Sequence, residues 1–192
     1  WNILAITFTN KASNEMKERV EALVGDDAKD MWIGTFHSIC VKILRRFIDR
    51  IGFDHSFVIF DTSDQRTLIK ECLKDLQIDD KMFTDRIVQF EISNAKNDMK
   101  EPEEYEAMAK GDYRKEKIAS VYNLYQKRLK ENNAIDFDDI INYVIKIFKE
   151  NDDVLDYYTN KFNYILVDEY QDTNKAQFTL IRLLAKAHGN IT

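Results

Sequence analysis

The sequence predicts an α/β fold in which a parallel sheet is interrupted by an all-helical insertion. Short apolar runs that indicate strands occur at residues 3–8, 31–35, 57–60 and 164–167. Helical periodicity fills most of the sequence between them, and strands that alternate with helices pair in parallel through right-handed crossovers. The stretch from residue 64 to 133 carries helical patterns alone, which indicates the insertion.

The composition excludes several classes of protein. With 44% hydrophobic and 32% charged residues, the 192-residue chain is too apolar to be disordered. One Pro and five isolated Gly residues exclude collagen, low-complexity linkers and turn-dense β-sandwiches. There is no signal segment and no run of 18 apolar residues, so we expect a cytoplasmic protein with no membrane partner. Cys40 and Cys72 lack metal-ligand spacing and are expected to be buried thiols rather than a disulfide.

The charge distribution leaves nucleic acid open as a partner. The net charge of −6 weakly opposes it, but the excess of acid is concentrated in residues 134–192. A local basic surface can bind phosphates on an acidic protein. The charge pattern alone nevertheless favours a solvated helix face. The basic residues in the locally positive stretch are Lys29, Lys42, Arg45, Arg46 and Arg50.

The first segment, residues 1–63, alternates strands with helices. Its first strand precedes a helix that Asn10 is expected to cap and Gly25 to end. The second strand leads into a helix whose apolar stripe, at spacings of three and four, runs from Phe36 to Ile51. A third strand closes the segment, so a sheet with helices between its strands is expected here.

The middle segment, residues 64–133, is expected to be a separate helical subdomain. Thr62 and Gln65 have the spacing of a capping box at its start, and Pro102 suits the first turn of a later helix. The sheet pattern resumes in the last segment, residues 134–192. The elements expected there are helices at 137–150 and 152–160, a buried strand at 164–167 and a helix at 174–187.

Two acids, Asp168 and Glu169, directly follow the strand at 164–167. Ligands bind at the carboxyl ends of parallel strands. An Asp there can hold Mg²⁺, and a neighbouring Glu can orient and deprotonate a water, as in the Walker B arrangement of nucleotide hydrolases. The alternative is that both are first-turn acids favoured by a helix dipole.

Longer motifs contain and accompany these acids. The run Val167-Asp-Glu-Tyr-Gln-Asp-Thr-Asn174 resembles motif II of the UvrD/Rep/PcrA-type superfamily 1 DNA helicases, which reads DEYQDTN. Thr7-Phe-Thr-Asn-Lys-Ala12 resembles motif Ia, and Gly34-Thr-Phe-His-Ser38 resembles motif Ib. Asp136-Phe-Asp-Asp139 matches a further family stretch. The resemblance covers the whole chain, with one small departure at Ser13, where Ala is the more usual residue.

The resemblance implies an incomplete RecA-like domain that uses ATP and Mg²⁺. Asp168 would help to hold Mg²⁺, partly through water, and Glu169 would activate the attacking water. Gln171 would sense the γ-phosphate and couple the nucleotide to the DNA site. Hydrolysis would move the protein 3′ to 5′ along one strand, and the helical insertion would correspond to subdomain 1B, which engages DNA near the fork.

The resemblance also implies a single-stranded DNA site on the two earlier motifs. Phe8 would stack on a base, an interaction that tolerates any sequence. Taken without the family, Phe8 is more typical of a core residue, and His37 of a core or capping histidine. The residues that would contact DNA are Thr7, Phe8, Asn10, Thr35 and His37.

Some of the family's machinery is missing from the 192 residues. No G-x-x-x-x-G-K-[ST] phosphate loop occurs among the five isolated glycines. We therefore expect a fragment of a helicase that needs a P-loop segment and a second RecA-like domain, and that hydrolyses ATP poorly by itself. Two alternatives stay open. A nuclease segment downstream would indicate the motor of a helicase–nuclease complex, and a P-loop upstream would exclude a non-catalytic DNA-binding or docking module.

Overall fold

The computed structural model describes residues 2–192, and the side chains of all of these except residues 29 and 30. Strands and helices alternate at both ends of the chain, and the strands pair in parallel, which confirms the α/β class. The elements are β1 (Ile3–Thr7), α1 (Asn10–Val24), β2 (Trp32–Thr35), α2 (Phe36–Phe47), β3 (Val58–Phe60), α3 (Thr62–Asp75), α4 (Asp85–Asn97), α5 (Pro102–Ala109), α6 (Tyr113–Glu131), β4 (Ala134–Asp136), α7 (Asp139–Glu150), α8 (Asp152–Lys161), β5 (Tyr164–Val167) and α9 (Lys175–Leu184).

The chain divides into two compact units. The sheet unit comprises the residues up to 55 and residues 140–192, and the helical unit comprises residues 56–139. The segment boundaries expected from the sequence, after residues 63 and 133, stay a prediction.

The sheet unit is built on three parallel strands in the order β2-β1-β5. A bridge between Ile165 and Ile191 extends this sheet beyond β5. The apolar stripe of α2 is buried, as its periodicity predicts, and Ile39 and Ile43 are almost wholly inaccessible to solvent. The helices therefore hold the strands, and with them the residues that follow each strand, in fixed positions.

One expectation about the sheet is wrong: β5 is only half buried. Ile165 and Val167 are covered, but the side chains of Tyr164 and Leu166 are 58% and 41% exposed. These two residues share one face of the strand because side chains alternate along it. Within the described chain that face is only partly covered, so the residues of this apolar run alternate between exposed and buried positions.

The helical unit packs four helices, α3 to α6, around a two-stranded parallel ribbon of β3 and β4. The strand expected at 57–60 thus pairs with 134–136 rather than with the three-stranded sheet. The cap of α3 also differs from the expected one. Asp61 accepts hydrogen bonds from the backbone of Ser63 and Asp64, and Asp64 accepts one from the backbone N–H of Asp61. Cys40 and Cys72, one in each unit, are buried and free.

Candidate functional site

The carboxyl ends of all three strands of the sheet unit meet at one edge. Thr7 at the end of β1 pairs with Thr35 at the end of β2, and Ile6 pairs with Val167 at the end of β5. The backbone N–H of Asp168 donates to the carbonyl of Ile6 at 3.0 Å, so this acid is one residue beyond the last paired rung. The residues that follow the three strands therefore converge where ligands bind in open parallel sheets.

The turn after β1 corrects the expected helix cap. Thr9, not Asn10, caps α1, because its hydroxyl accepts a hydrogen bond of 3.1 Å from the backbone N–H of Ala12. Thr7 is fully buried and its hydroxyl donates to the carbonyl of Thr9 at 3.1 Å. Asn10 is the first residue of the helix and is exposed. Thr7 therefore shapes the turn, and Asn10 lies at the positive end of a helix with no acid in its first turn.

Phe8 is half-buried, between the two roles that the sequence left open for it. Its ring packs edge-to-face on Phe36, with 5.4 Å between ring centres and an angle of 65° between ring planes. Phe36 itself is buried, so it anchors one side of Phe8. The part of the Phe8 ring that stays accessible is held in one orientation, which suits stacking on a base.

The turn after β2 is tightly packed. Thr35 caps α2 by accepting a hydrogen bond of 3.2 Å from the backbone N–H of Ser38, and the hydroxyl of Ser38 donates back to the carbonyl of Thr35 at 2.9 Å. Gly34 is favoured beneath this turn, because a Cβ there would lie 2.5 Å from Oγ of Ser38 and 3.2 Å from a side-chain carbon of Ile39, so both side chains would have to shift. In the sequence Gly34 stands out only as part of a motif, and no local pattern predicts this role.

His37 follows in the first turn of α2 and is half-buried. Burial lowers its pKa to about 4, so the imidazole is neutral at pH 7. A neutral ring can donate or accept a hydrogen bond, or stack, but it contributes no charge. Any contact of His37 with DNA therefore adds little to the salt dependence of binding.

The acids after β5 are exposed at the same edge. Glu169 has a left-handed backbone with φ +50°, an uncommon conformation for a residue other than glycine. Its carboxylate accepts a short hydrogen bond from the side-chain amide of Gln171. The next α-helix, α9, begins at Lys175 and is capped by Asn174. Asp168 and Glu169 are therefore not first-turn acids of α9, although Glu169 directly precedes a 3-10 turn at Tyr170–Asp172.

The donor set at this edge fits Mg²⁺ only in part. Asp168 and Glu169 offer carboxylate oxygens, which this hard cation prefers. Among the side chains that the structure describes, however, no three His, Cys, Asp or Glu residues are close enough together to hold a metal. The acids thus suit a cation whose remaining ligands are waters and phosphate oxygens, as in nucleotide hydrolases.

Comparison with known proteins identifies the family. The model of the UvrD/REP helicase N-terminal domain matches residues 1–192. The chain belongs to this family. It is 53% identical over 191 residues to the ATP-dependent DNA helicase PcrA of Staphylococcus aureus strain Mu50 and to that of Bacillus subtilis strain 168. It is 52% identical to that of Staphylococcus epidermidis.

Each of these matches covers the whole chain, yet the chain spans only 26% of the length of the relatives. The resemblance drawn from the motifs is thereby confirmed, and the fold is consistent with part of a RecA-like helicase domain. None of the helices within residues 2–192 combines the length and the apolar character needed to span a bilayer.

Proposed function

We propose that this chain is part of an ATP-dependent DNA helicase that moves 3′ to 5′ along single-stranded DNA and unwinds duplex DNA. The observation that carries the proposal is the register of the sheet, which brings the three motif-bearing strand ends to one edge. The names of the family and of its PcrA relatives support the same activity.

The acids of motif II have distinct roles in this proposal. Asp168 helps to hold Mg²⁺, partly through water, and Glu169 accepts the proton of the attacking water. Mg²⁺–ATP, when bound, supplies the phosphoryl bond whose hydrolysis drives movement. Gln171 holds the carboxylate of Glu169 through its amide. A movement of Gln171 would release that carboxylate. Gln171 would thereby couple the general base to the neighbouring DNA site.

The two earlier motifs provide the grip on DNA. Phe8 stacks on a base, and Asn10 and the open N-terminus of α1 bind a backbone phosphate. His37 contacts the strand without adding charge. Thr35 and Thr7 act mainly by holding the two turns, since both side chains are buried and hydrogen-bonded to neighbouring backbone.

The chain lacks a phosphate cradle of its own, because no P-loop sequence occurs in it. We therefore expect no useful ATP turnover from these 192 residues by themselves. The helicase–nuclease and docking alternatives stay predictions that the sequence of the full-length protein decides, and the cytoplasmic location likewise stays a prediction.

The proposal is tested by Glu169→Gln in the full-length protein. Loss of a general base lowers kcat by about 10²–10⁴-fold, so DNA-stimulated ATP hydrolysis should fall by at least about 10²-fold while affinity for single-stranded DNA is kept. The matched control is Glu150→Gln, an exposed glutamate at the end of α7. Equal ATPase rates in the two variants would refute the role of Glu169.

A further inference from the structure

A cluster of basic and aromatic side chains lies on the sheet unit, on α2, on α8 and at the start of β2. At its centre is the indole of Trp32, with Nζ of Lys42 at 5.3 Å and Nζ of Lys161 at 4.8 Å from the ring centre. The ring packs edge-to-face against Tyr158 and Phe162, which fixes its orientation. Because a cation is attracted to the face of such a ring, both ammonium groups are positioned on the surface.

A third cation is held in the same way beside them. The guanidinium carbon of Arg46 lies 5.3 Å from the centre of the Tyr157 ring, and Nη1 donates a hydrogen bond of 3.2 Å to the Tyr157 hydroxyl. Tyr157 is 42% exposed, so the pair faces solvent. Trp32, Lys42, Arg46, Tyr157 and Lys161 are called the basic–aromatic patch below.

The three cations of the patch have no acid within salt-bridge distance among the described side chains. Within the part of the chain whose side chains are described, none of the three forms a salt bridge, whereas Arg50, in the 3-10 turn that follows α2, pairs with Asp153 at 2.8 Å. The exposed carboxylate of Asp156 on α8 is the nearest acid in sequence to Lys161 that is not in such a pair. Three unpaired cations on a chain of net charge −6 indicate an anionic partner.

The patch is separate from the candidate site. Trp32 begins β2 and Thr35 ends it, so the two lie about 10 Å apart along the strand. The helix α2 leads away from the carboxyl edge, and Arg46 is about 15 Å along its axis from Phe36. The proposed roles of Phe8 and of the motif II acids leave these side chains without a function.

We propose that the basic–aromatic patch is a second DNA contact that binds the phosphate backbone of a DNA strand outside the candidate site. The proposal rests on the proposed function for the identity of the partner. Lys42 and Arg46 are one helical turn apart, about 6 Å along the axis, which lets them contact neighbouring phosphates of one strand. Because ammonium groups already lie over the Trp32 ring, the patch binds phosphates and does not stack on bases.

An acidic peptide is the other polyanion that such a surface could bind. Most protein partners are anchored in a large apolar pocket, but at the centre of the patch Trp32 is half-buried beneath its two lysines. Presentation of cations alone is typical of sequence-independent contacts to a nucleic acid backbone, and these contacts make affinity steeply dependent on salt. The salt dependence therefore provides the test.

The test compares two triple variants of the full-length protein that remove equal charge. The patch variant is Lys42→Gln, Arg46→Gln and Lys161→Gln, and the control carries Lys17→Gln, Lys149→Gln and Lys186→Gln at exposed positions elsewhere. Fluorescence anisotropy measures the affinity for a labelled duplex and for a labelled single strand between about 50 and 200 mM salt. Each lost phosphate contact makes the log–log slope less steep by about 0.9 on duplex and 0.7 on single strands.

The expected result is a slope shallower by about 2 to 3 for the patch variant, with the control close to the unchanged protein. Equal slopes in both variants would overturn the proposal. So would loss of affinity for poly-glutamate in the patch variant with DNA binding intact, because it would identify an acidic peptide as the partner. If the triple variant unfolds early on heating, the single variants Lys42→Gln and Lys161→Gln should each change the slope by about one contact.

Failure of the patch proposal and failure of the proposed function give different results. Phe8→Ala removes stacking and no charge, so it should weaken single-strand binding without changing the slope. If Phe8→Ala weakens binding and the patch variant does not, the patch is wrong and the candidate DNA site stands. If the unchanged protein does not bind DNA, both proposals fail.

Discussion

Replacement of Lys96 should destabilise the helical unit more than any surface change. Its side chain is 2% exposed on α4, and Nζ lies 2.6 Å from a carboxylate oxygen of Asp136 and 2.7 Å from one of Asp139. Tyr125 donates a further hydrogen bond to Asp136, and Gln126 donates to Asp139. Burial alone would lower the pKa of Lys96, but the two carboxylates raise it well above its usual range. The ammonium group therefore stays charged and holds two buried acids together.

Lys96→Met would keep the aliphatic stem and remove the charge that both acids require. Breaking a buried ion pair by removal of one partner costs about 3–5 kcal/mol. A unit the size of residues 56–139 is stable by about 4–13 kcal/mol, so much of its stability would be lost. At about 4–8 °C per kcal/mol, the midpoint of thermal unfolding should fall by at least about 12 °C.

Circular dichroism during heating and urea titration measures this loss. The control Lys127→Met removes an exposed lysine of α6 that pairs with Glu131 across one turn, an interaction worth about 0.5 kcal/mol or less. Adding Asp136→Asn and Asp139→Asn to Lys96→Met should recover at least half of the lost stability, because no buried charge is then left unpaired. A loss below about 1 kcal/mol for Lys96→Met would show that the buried charges are not coupled in this way.

Three further predictions follow from single residues. Burial and the nearby Asp136 carboxylate raise the pKa of Asp139 to about 7, whereas an unfolded Asp titrates near 3.9. Between these two pKa values the folded chain keeps a proton that the unfolded chain loses. The free energy of unfolding should therefore fall as the pH rises from about 4 to 7, by up to about 1.4 kcal/mol per pH unit. Urea titrations across that range should show a flatter profile for Asp139→Asn, and an unchanged profile would contradict the shift. Phe8→Ala should weaken binding of a single-stranded oligonucleotide by about 5- to 150-fold if stacking supplies about 1–3 kcal/mol. Unchanged affinity at matched salt would refute the stacking role. Gly34→Ala would place a Cβ 2.5 Å from Oγ of Ser38. It should therefore lower the midpoint of thermal unfolding by several degrees in calorimetry. An unaltered midpoint would show that the turn adjusts freely.

The elements of the sheet unit could be predicted because their signals are local. The apolar run of β1 and the stripe of α2 depend on spacing within one segment, and both elements form where expected. The ribbon of β3 and β4 could not be predicted in this way, because two strands of three residues pair across more than 70 residues of sequence. Likewise, Thr9 and Asn10 are adjacent residues that both suit a helix cap, and composition does not choose between them.

Only part of the candidate site could be predicted from the sequence. The position of Asp168 and Glu169 after a strand follows from their neighbours, but the rung that joins Thr7 to Thr35 is set by strand register, which is a long-range property. The exposed face of β5 was missed because an apolar run does not reveal which face is covered. Lys96 was missed as well, since a lysine in a helix normally indicates a solvated face.

We propose that the edge formed by β1, β2 and β5 serves an ATP-driven motor that moves 3′ to 5′ on DNA. Strand displacement by the full-length protein with ATP and Mg²⁺ tests it most directly, with one duplex carrying a 3′ single-stranded tail and one a 5′ tail. We expect displacement from the 3′-tailed duplex alone, and its loss in Glu169→Gln with DNA binding preserved. Displacement from the 5′-tailed duplex alone, or unimpaired displacement by Glu169→Gln, would contradict it.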